Sequence, residues 1–396
     1  MLSKRASLLK PSPTLAINAK EKALKAQGLD IVGFGVGEPD FDTPDHIKQA
    51  AVKAIHDNFT RYTPAAGIDP LKDAVIEKFR RDNGLAYKRD EVIISCGGKH
   101  SLYNLFQAIF QEGDEVIIPA PYWVSYPPMA ELAGAKPVIM ETYEDEDYQI
   151  TAEMLKKYIN KNTKGIVLNY PSNPAGSVYS IENLRAIGKL AVENNFYIIS
   201  DEIYEKLTYD DYTHVSIASL DPAFKEKTII CHGVAKTYAM TGWRIGFAAG
   251  QPGIIKAMGN IQSQSTSNPA SISQMAAVAA LNGPQDSITL MLEAFKKRRD
   301  YLVGELKSIP GVTCYNPKGA FYVFPNFNKV LGKRYRGRVV DTSTALTEIL
   351  LEDFHTAVVP GVEFGKEGYL RLSFATSMEA IEKGVERIKK AVAAFE

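Results

Sequence analysis

Seven short apolar runs, separated by amphipathic stretches, lie between residues 90 and 250 and constrain this chain's fold more than any other feature. They cover 92–96, 116–119, 138–140, 165–169, 197–200, 228–231 and 245–248. A strand that is apolar on both faces needs cover on both. Strands alternating with helices run mostly parallel, because each helical crossover returns the chain to the same end of the sheet. Segments 102–111 and 181–194 carry the helical spacing such crossovers need. The prediction is an α/β fold: a large domain built on a mostly parallel seven-stranded sheet. Residues 254–281 and 291–307 read as long helices. After Pro310 the pattern changes, with strands at 320–324 and 369–374 and helices at 342–354 and 378–395. This is a smaller α+β domain. The first forty-odd residues carry no sheet-building pattern of their own and join it. The expected division is 46–282 for the large domain and 1–45 with 283–396 for the small one.

Charge narrows the function classes. Lys plus Arg and Asp plus Glu are 46 each, and there is no long basic run, so nucleic acid and anionic membrane are poor partners. The densest basic stretch, Lys333, Arg334, Arg336 and Arg338, reads as a solvated loop. Cys96, Cys231 and Cys314 show neither CxxC spacing nor a disulfide framework. Cys96 and Cys231 end apolar runs and are expected to be buried, reduced thiols. No metal ligand set is assigned. The start has no signal-peptide core, and no apolar run approaches a membrane span. A cytoplasmic protein is expected.

Two glycine motifs invite over-reading. Gly33-Phe34-Gly35-Val36-Gly37 looks like a dinucleotide loop, but Pro39 and Pro44 follow, so no helix starts in time to receive a pyrophosphate. Cys96-Gly97-Gly98-Lys99-His100-Ser101 lacks the first glycine of a P-loop. It is still a glycine turn between a strand and a helix, where backbone N–H groups and the helix dipole can hold a phosphate.

The segment 228–250 contains Lys236 and Arg244 but no acidic residue, among Tyr238, Met240, Trp243 and Phe247. Buried cations need an anion from elsewhere, and a cofactor phosphate meets that need. A desolvated lysine also has a lowered pKa, which suits it to imine formation. Asp201 ends an apolar strand, at the sheet edge where ligands bind in parallel α/β folds, although caps and turns place Asp there too. Asn173 sits in a turn made rigid by Pro171, Pro174 and Gly176.

Together these pieces resemble the fold-type I pyridoxal-5′-phosphate (PLP) enzymes of the aspartate aminotransferase group. The motifs stand in order along nearly the whole chain: GVGEPDFDTP at 35–44, RYTPAAG at 61–67, GGK at 97–99, PAPYWVSYP at 119–127, NYPSNPAG at 169–176, SDEIYE at 200–205, AKTYAMTGWRIG at 235–246 and RLSFATS at 371–377. The resemblance implies that Lys236 holds the cofactor as a Schiff base and shuttles the substrate proton. Asp201 would pair with the pyridine nitrogen, which keeps the ring able to accept electrons. Asn173 and Tyr204 would bond the phenolic oxygen, and Trp123 would stack on the ring. Gly98 and Lys99 N–H groups with Arg244 would hold the phosphate, and Tyr62 would reach the phosphate of a neighbouring subunit. Arg371 would clamp the substrate α-carboxylate in a two-bond fork, and Gly37 would touch substrate through its backbone. Trp123 and Asn173 would also border the substrate.

The chain departs from the family pattern at Gly233, Ala235 and Ala175, where relatives carry hydroxyls. The KPSPT strip at 10–14 resembles the pocket-lining segment of aspartate/prephenate aminotransferases, with Lys10 as candidate cation for a distal carboxylate. The implied function is a PLP-dependent aminotransferase acting between an L-amino acid, aspartate first, and 2-oxoglutarate, in a homodimer with shared sites. Prephenate or aromatic specificity, or a carbon–sulfur β-lyase, are the alternatives. A non-enzymatic regulator would need a lost lysine or a spare DNA-binding segment, and neither is found.

Overall fold

The structure, a computed structural model, describes residues 13–396 together with Leu2, Ser3, Ala6, Ser7, Leu9 and Pro11. Its centre is a seven-stranded sheet of β1 (Val92–Ser95), β2 (Glu115–Ala120), β3 (Lys136–Glu141), β4 (Thr163–Asn169), β5 (Tyr197–Asp201), β6 (Thr228–Gly233) and β7 (Gly246–Ala249). The spatial order is β1-β7-β6-β5-β4-β2-β3. All pairs are parallel except those of β7, which runs antiparallel to both its neighbours. Every residue of β1, β6 and β7 is buried, as expected of strands covered on both faces. The seven predicted runs match the seven strands, with small differences at the ends.

The expected helix over 254–281 is two helices, Pro252–Ser265 and Ser271–Asn282. Pro269 between them has no N–H to donate and disfavours helix in the residue before it. The N-terminal region is more structured than its sequence suggested. It forms a helix, Pro13–Ala26, and then a two-residue strand, Val32–Gly33, parallel to Thr356–Ala357. Tyr322–Val323, Leu370–Ser373 and Val359–Pro360 form a three-stranded antiparallel sheet. Helices Asp286–Lys307 and Met378–Ala393 pack beside it. The second of these is capped by Ser377, which accepts a 3.1 Å bond from the Ala380 N–H.

Apolar burial falls into separate clusters. One joins Val32, Phe34 and Tyr204 to residues between Met291 and Phe395. Others cover the faces of the large sheet. Cys231 and Cys314 are buried free thiols, whereas Cys96 is only half-buried because its strand ends one residue earlier. The basic stretch is a short hairpin, Arg334–Tyr335 with Arg338–Val339. Arg336 and Arg338 pair there with Asp353. Among the described residues no helix is long and apolar enough to cross a membrane.

Candidate active site

Parallel register carries Asn169, Asp201 and Cys231 to the same level at the carboxyl ends of β4, β5 and β6. A cleft of about 620 Å³ opens there. Its floor comes from the large sheet, and its other wall includes Gly35, Gly37, Tyr322 and Arg371.

One end of the cleft is an anion cradle. Gly97 caps the helix Gly98–Ile109 at a φ of 96°, in the left-handed region that side chains resist. A Cβ added at Gly97 would sit 2.3 Å from Arg244 Nη2, and one at Gly246 would sit 2.2 Å from the Gly98 nitrogen. Only glycines let strand, helix and guanidinium converge so closely. Arg244 itself has a φ of 58° and is held by the carbonyls of Thr241 at 2.8 Å and Cys96 at 3.4 Å. The first N–H groups of the helix, its dipole and Arg244 therefore face one spot. The Lys99 ammonium stands 4.9 Å from the Trp123 ring centre, and partial desolvation together with Arg244 lowers its pKa.

The middle of the cleft carries the titratable groups. Asp201 is 6% exposed and accepts a 2.6 Å bond from the Tyr126 hydroxyl. Burial pushes its carboxyl up to about 6, against the pull of Tyr126. Asn169 donates to the Asp201 carbonyl at 3.0 Å and accepts from the Asn173 N–H at 2.8 Å, which ties the 169–176 turn to β5. Trp123 meets Tyr126 edge to face at 5.3 Å. The Tyr204 and Tyr322 hydroxyls are 2.9 Å apart.

Lys236 follows β6, and its Nζ donates to the Gly37 carbonyl. Burial lowers its pKa to about 8, and Glu38 is the first group to oppose that shift. Glu38 in turn accepts a 2.7 Å bond from the Thr241 hydroxyl. A Cβ on Gly37 would meet the Tyr322 hydroxyl at 2.9 Å, so this close approach requires glycine.

Arg371 is 2% exposed. Nη2 donates to the Gly35 carbonyl at 2.7 Å and Nη1 to Asn173 Oδ1 at 3.3 Å, while the guanidinium lies 4.7 Å from the Tyr322 ring centre. Its Nε has no partner among the described residues. A buried cation with an unused donor requires an anion from outside the chain.

Ten of the twelve residues singled out from the sequence therefore line one cleft: Gly37, Gly98, Lys99, Trp123, Asn173, Asp201, Tyr204, Lys236, Arg244 and Arg371. Tyr62 does not line it; its side chain is 92% exposed. Lys10 lies outside the described residues. Sequence reading missed Tyr126, Tyr322 and Glu38. Tyr126 and Glu38 lie inside quoted motifs, and Tyr322 sits in a run that reads as apolar strand. Only their contacts give them away.

The donor set fits PLP. The glycine cradle suits a phosphate, Asp201 offers a carboxylate to a ring nitrogen, Trp123 offers a flat wall, and Lys236 offers an amine. Residues 29–388 match the family model for aminotransferase class I and II. The chain is 51% identical to an aspartate aminotransferase of Geobacillus stearothermophilus, over 98% of each chain. It is 48% identical to a probable aspartate/prephenate aminotransferase of Rickettsia conorii, over 99% of this chain and 98% of that one. The crystal structure of the Rhizobium meliloti aspartate aminotransferase superposes with a TM-score of 0.96 at 43% identity, covering all of both chains. Cleft, cofactor fit and relatives converge: the chain belongs to the class I and II aminotransferases, PLP-dependent transaminases of the aspartate aminotransferase fold.

Proposed function

We propose that this aminotransferase moves the amino group of an acidic L-amino acid, aspartate foremost, to 2-oxoglutarate by a ping-pong mechanism. The observation that carries the reading is Arg371, buried and without an acidic partner among the described residues, in a cleft that also holds Lys99 unpaired with any described carboxylate. Two such cations in one cleft suit an anionic cofactor and an anionic substrate. Relatives of about 50% identity that bear the name aspartate aminotransferase support the same choice.

Bound PLP supplies the carbonyl that receives the amino group and the ring that takes up the electron pair released at the substrate Cα. Lys236, whose pKa burial lowers to about 8, would remove and return the Cα proton. Asp201, positioned by Tyr126, holds a proton on the pyridine nitrogen. Asn173 and Tyr204 would bond the phenolic oxygen, and Trp123 would flank the ring. Gly98 and Lys99 N–H groups with Arg244 bind the phosphate. Arg371 forks onto the α-carboxylate beside the Gly37 backbone, at a place bordered by Trp123 and Asn173. For the distal carboxylate, Lys99 joins Lys10 as a candidate.

Residues 46–282 are proposed as the cofactor domain, and 1–45 with 283–396 as the smaller domain; the apolar cluster of the smaller domain also takes in Tyr204, Leu207 and Tyr209, so the two pack through a shared core. The exposed Tyr62 supports a homodimer in which each subunit reaches its partner's phosphate site. The free thiols fit a cytoplasmic location. A second reading takes prephenate as the oxo-acid acceptor, with arogenate as its amino form, and is supported by relatives of 48% identity that bear the name probable aspartate/prephenate aminotransferase. The discriminating experiment is kcat/KM for aspartate, arogenate, phenylalanine and alanine against 2-oxoglutarate. Aspartate should lead, and a neutral donor outpacing both acidic amino acids would overturn the assignment.

A further inference from the structure

The motif Ser200-Asp201-Glu202-Ile203-Tyr204-Glu205 has two faces. Asp201 and Tyr204 line the cleft, while Glu202 and Glu205 point the other way, into protein. Behind the cleft lies a second set of ionisable groups that the reaction does not touch. Lys78, 2% exposed, places its ammonium 2.5 Å from Glu205 Oε1. Asn83 closes the pair, accepting from Lys78 at 2.8 Å and donating to Glu205 Oε2 at 3.0 Å. His232 Nε2 approaches Glu205 at 3.5 Å, and the His232 ring stacks on Phe247. Glu202, wholly buried, accepts from Ser200 and Ser216 at 2.7 Å each and meets His214 at 2.9 Å.

Glu202, Glu205 and His214 bring ligand atoms within 4.8 Å of one another, a spacing a metal ion could use. Lys78 already supplies the cation beside Glu205, so a bound metal is not required to balance the charge. Burial would raise the Glu205 carboxyl, yet Lys78 and His232 hold it well below the usual carboxylate range. Fully buried ion pairs of this kind add little net stability over apolar residues of the same shape, and one recognised use is to fix a unique local arrangement.

We propose that Lys78 and Glu205 are positioning residues for transamination: their buried pair anchors the turn 201–205 from behind and so sets where Asp201 and Tyr204 meet the cofactor. Lys78 belongs to the helix Asp69–Asn83 and reaches the site only through Glu205. The inference rests on Asp201 and Tyr204 being cofactor contacts.

The test compares Lys78→Met, Glu205→Gln and the double variant with Asp201→Asn, well below their melting temperatures. Two readouts are taken without turnover: the PLP dissociation constant, from quenching of Trp fluorescence, and the pH midpoint of the visible absorption band. Removing one partner strands a buried charge, whereas removing both does not. Each single variant should therefore weaken PLP about tenfold or more and shift the band midpoint, and the double variant, which strands no charge but still lacks the anchor, should regain thermal stability while PLP affinity and band midpoint stay displaced. If the single variants lose thermal stability but keep the wild-type PLP affinity and band midpoint while Asp201→Asn alters them, the pair is merely structural and the proposal is wrong. If Asp201→Asn also leaves both readouts unchanged, the cofactor assignment of Asp201 falls and the positioning role falls with it. Should a single variant not fold, the double variant decides: wild-type PLP affinity and band midpoint in a stable protein that lacks the pair would refute the positioning role.

Discussion

Lys236 should titrate near pH 8 in the cofactor-free enzyme. Burial penalises its charged form, and the pKa falls from 10.5 to about 8. At pH 8 about half of a group with that pKa is neutral amine, against about 0.3% for a solvent-exposed lysine, a gain of roughly 160-fold in the nucleophilic form. The perturbation is pH itself, from 6 to 10.5, applied to enzyme stripped of PLP and offered pyridoxal, which lacks the phosphate that Arg244 would grip. Adduct formation is followed by its visible band, and borohydride reduction with peptide mapping assigns it to Lys236. The rate should rise about tenfold per pH unit below 8 and flatten above it. Glu38→Gln should move the break lower, since Glu38 opposes the shift. The stability consequence has a definite sign. Between pH 8 and 10.5 the unfolded chain binds more protons at this lysine than the folded one. Its contribution to stability therefore improves as pH rises through that window and is least favourable below pH 8. A rate that keeps climbing tenfold per unit through pH 9.5, or an adduct on another lysine, would refute the reasoning.

Other outcomes follow from single contacts. Asp201→Asn keeps the shape and loses the charge, and should lower kcat at least about a hundredfold, near 2.7 kcal/mol of transition-state stabilisation. Tyr126→Phe removes the donor that opposes burial of Asp201, so the carboxyl should move above about 6, and the acid limb of the PLP-binding profile should shift upward with it. Arg371→Lys should weaken acidic and neutral amino acids alike, because the fork is lost while the charge stays. Lys99→Ala and Lys10→Ala should instead penalise aspartate over alanine by about ten- to a hundredfold in kcat/KM; equal losses for both donors would end the distal role. Tyr62→Ala should raise the PLP dissociation constant without dissolving the dimer in sedimentation, and active PLP-saturated monomers would exclude a shared site.

The strands of the large sheet were legible because each is a local apolar run whose ends lie within a residue or two of a turn former. Asp201 could be placed because strand ends in a parallel sheet are chemically special, and Lys236 because no acidic residue shares its segment. The helix break at Pro269 is masked in the sequence by the apolar spacing on either side of it. Tyr126 and Tyr322 escaped notice because a phenol in an apolar run cannot be told from core until its hydroxyl has a partner. Lys78 is the extreme case. Its helix looks like an ordinary charged surface helix, and its partner Glu205 is 127 residues away, so nothing local marks it as buried.

The pairing of Val32–Gly33 with Thr356–Ala357 also bears on how the chain is made. At an elongation rate of about 5–20 residues per second, residue 356 follows residue 32 by roughly 15–65 s. Over that interval Val32 and Phe34, both core residues in the finished fold, have no strand to pair with and no cover from the helix Met378–Ala393. The region between them can complete its sheet on the ribosome, while the segment around Val32, made earlier, waits to find its place. Truncating the final helix should therefore expose Phe34, which packs against Gly384, and leave a chain that chaperones retain.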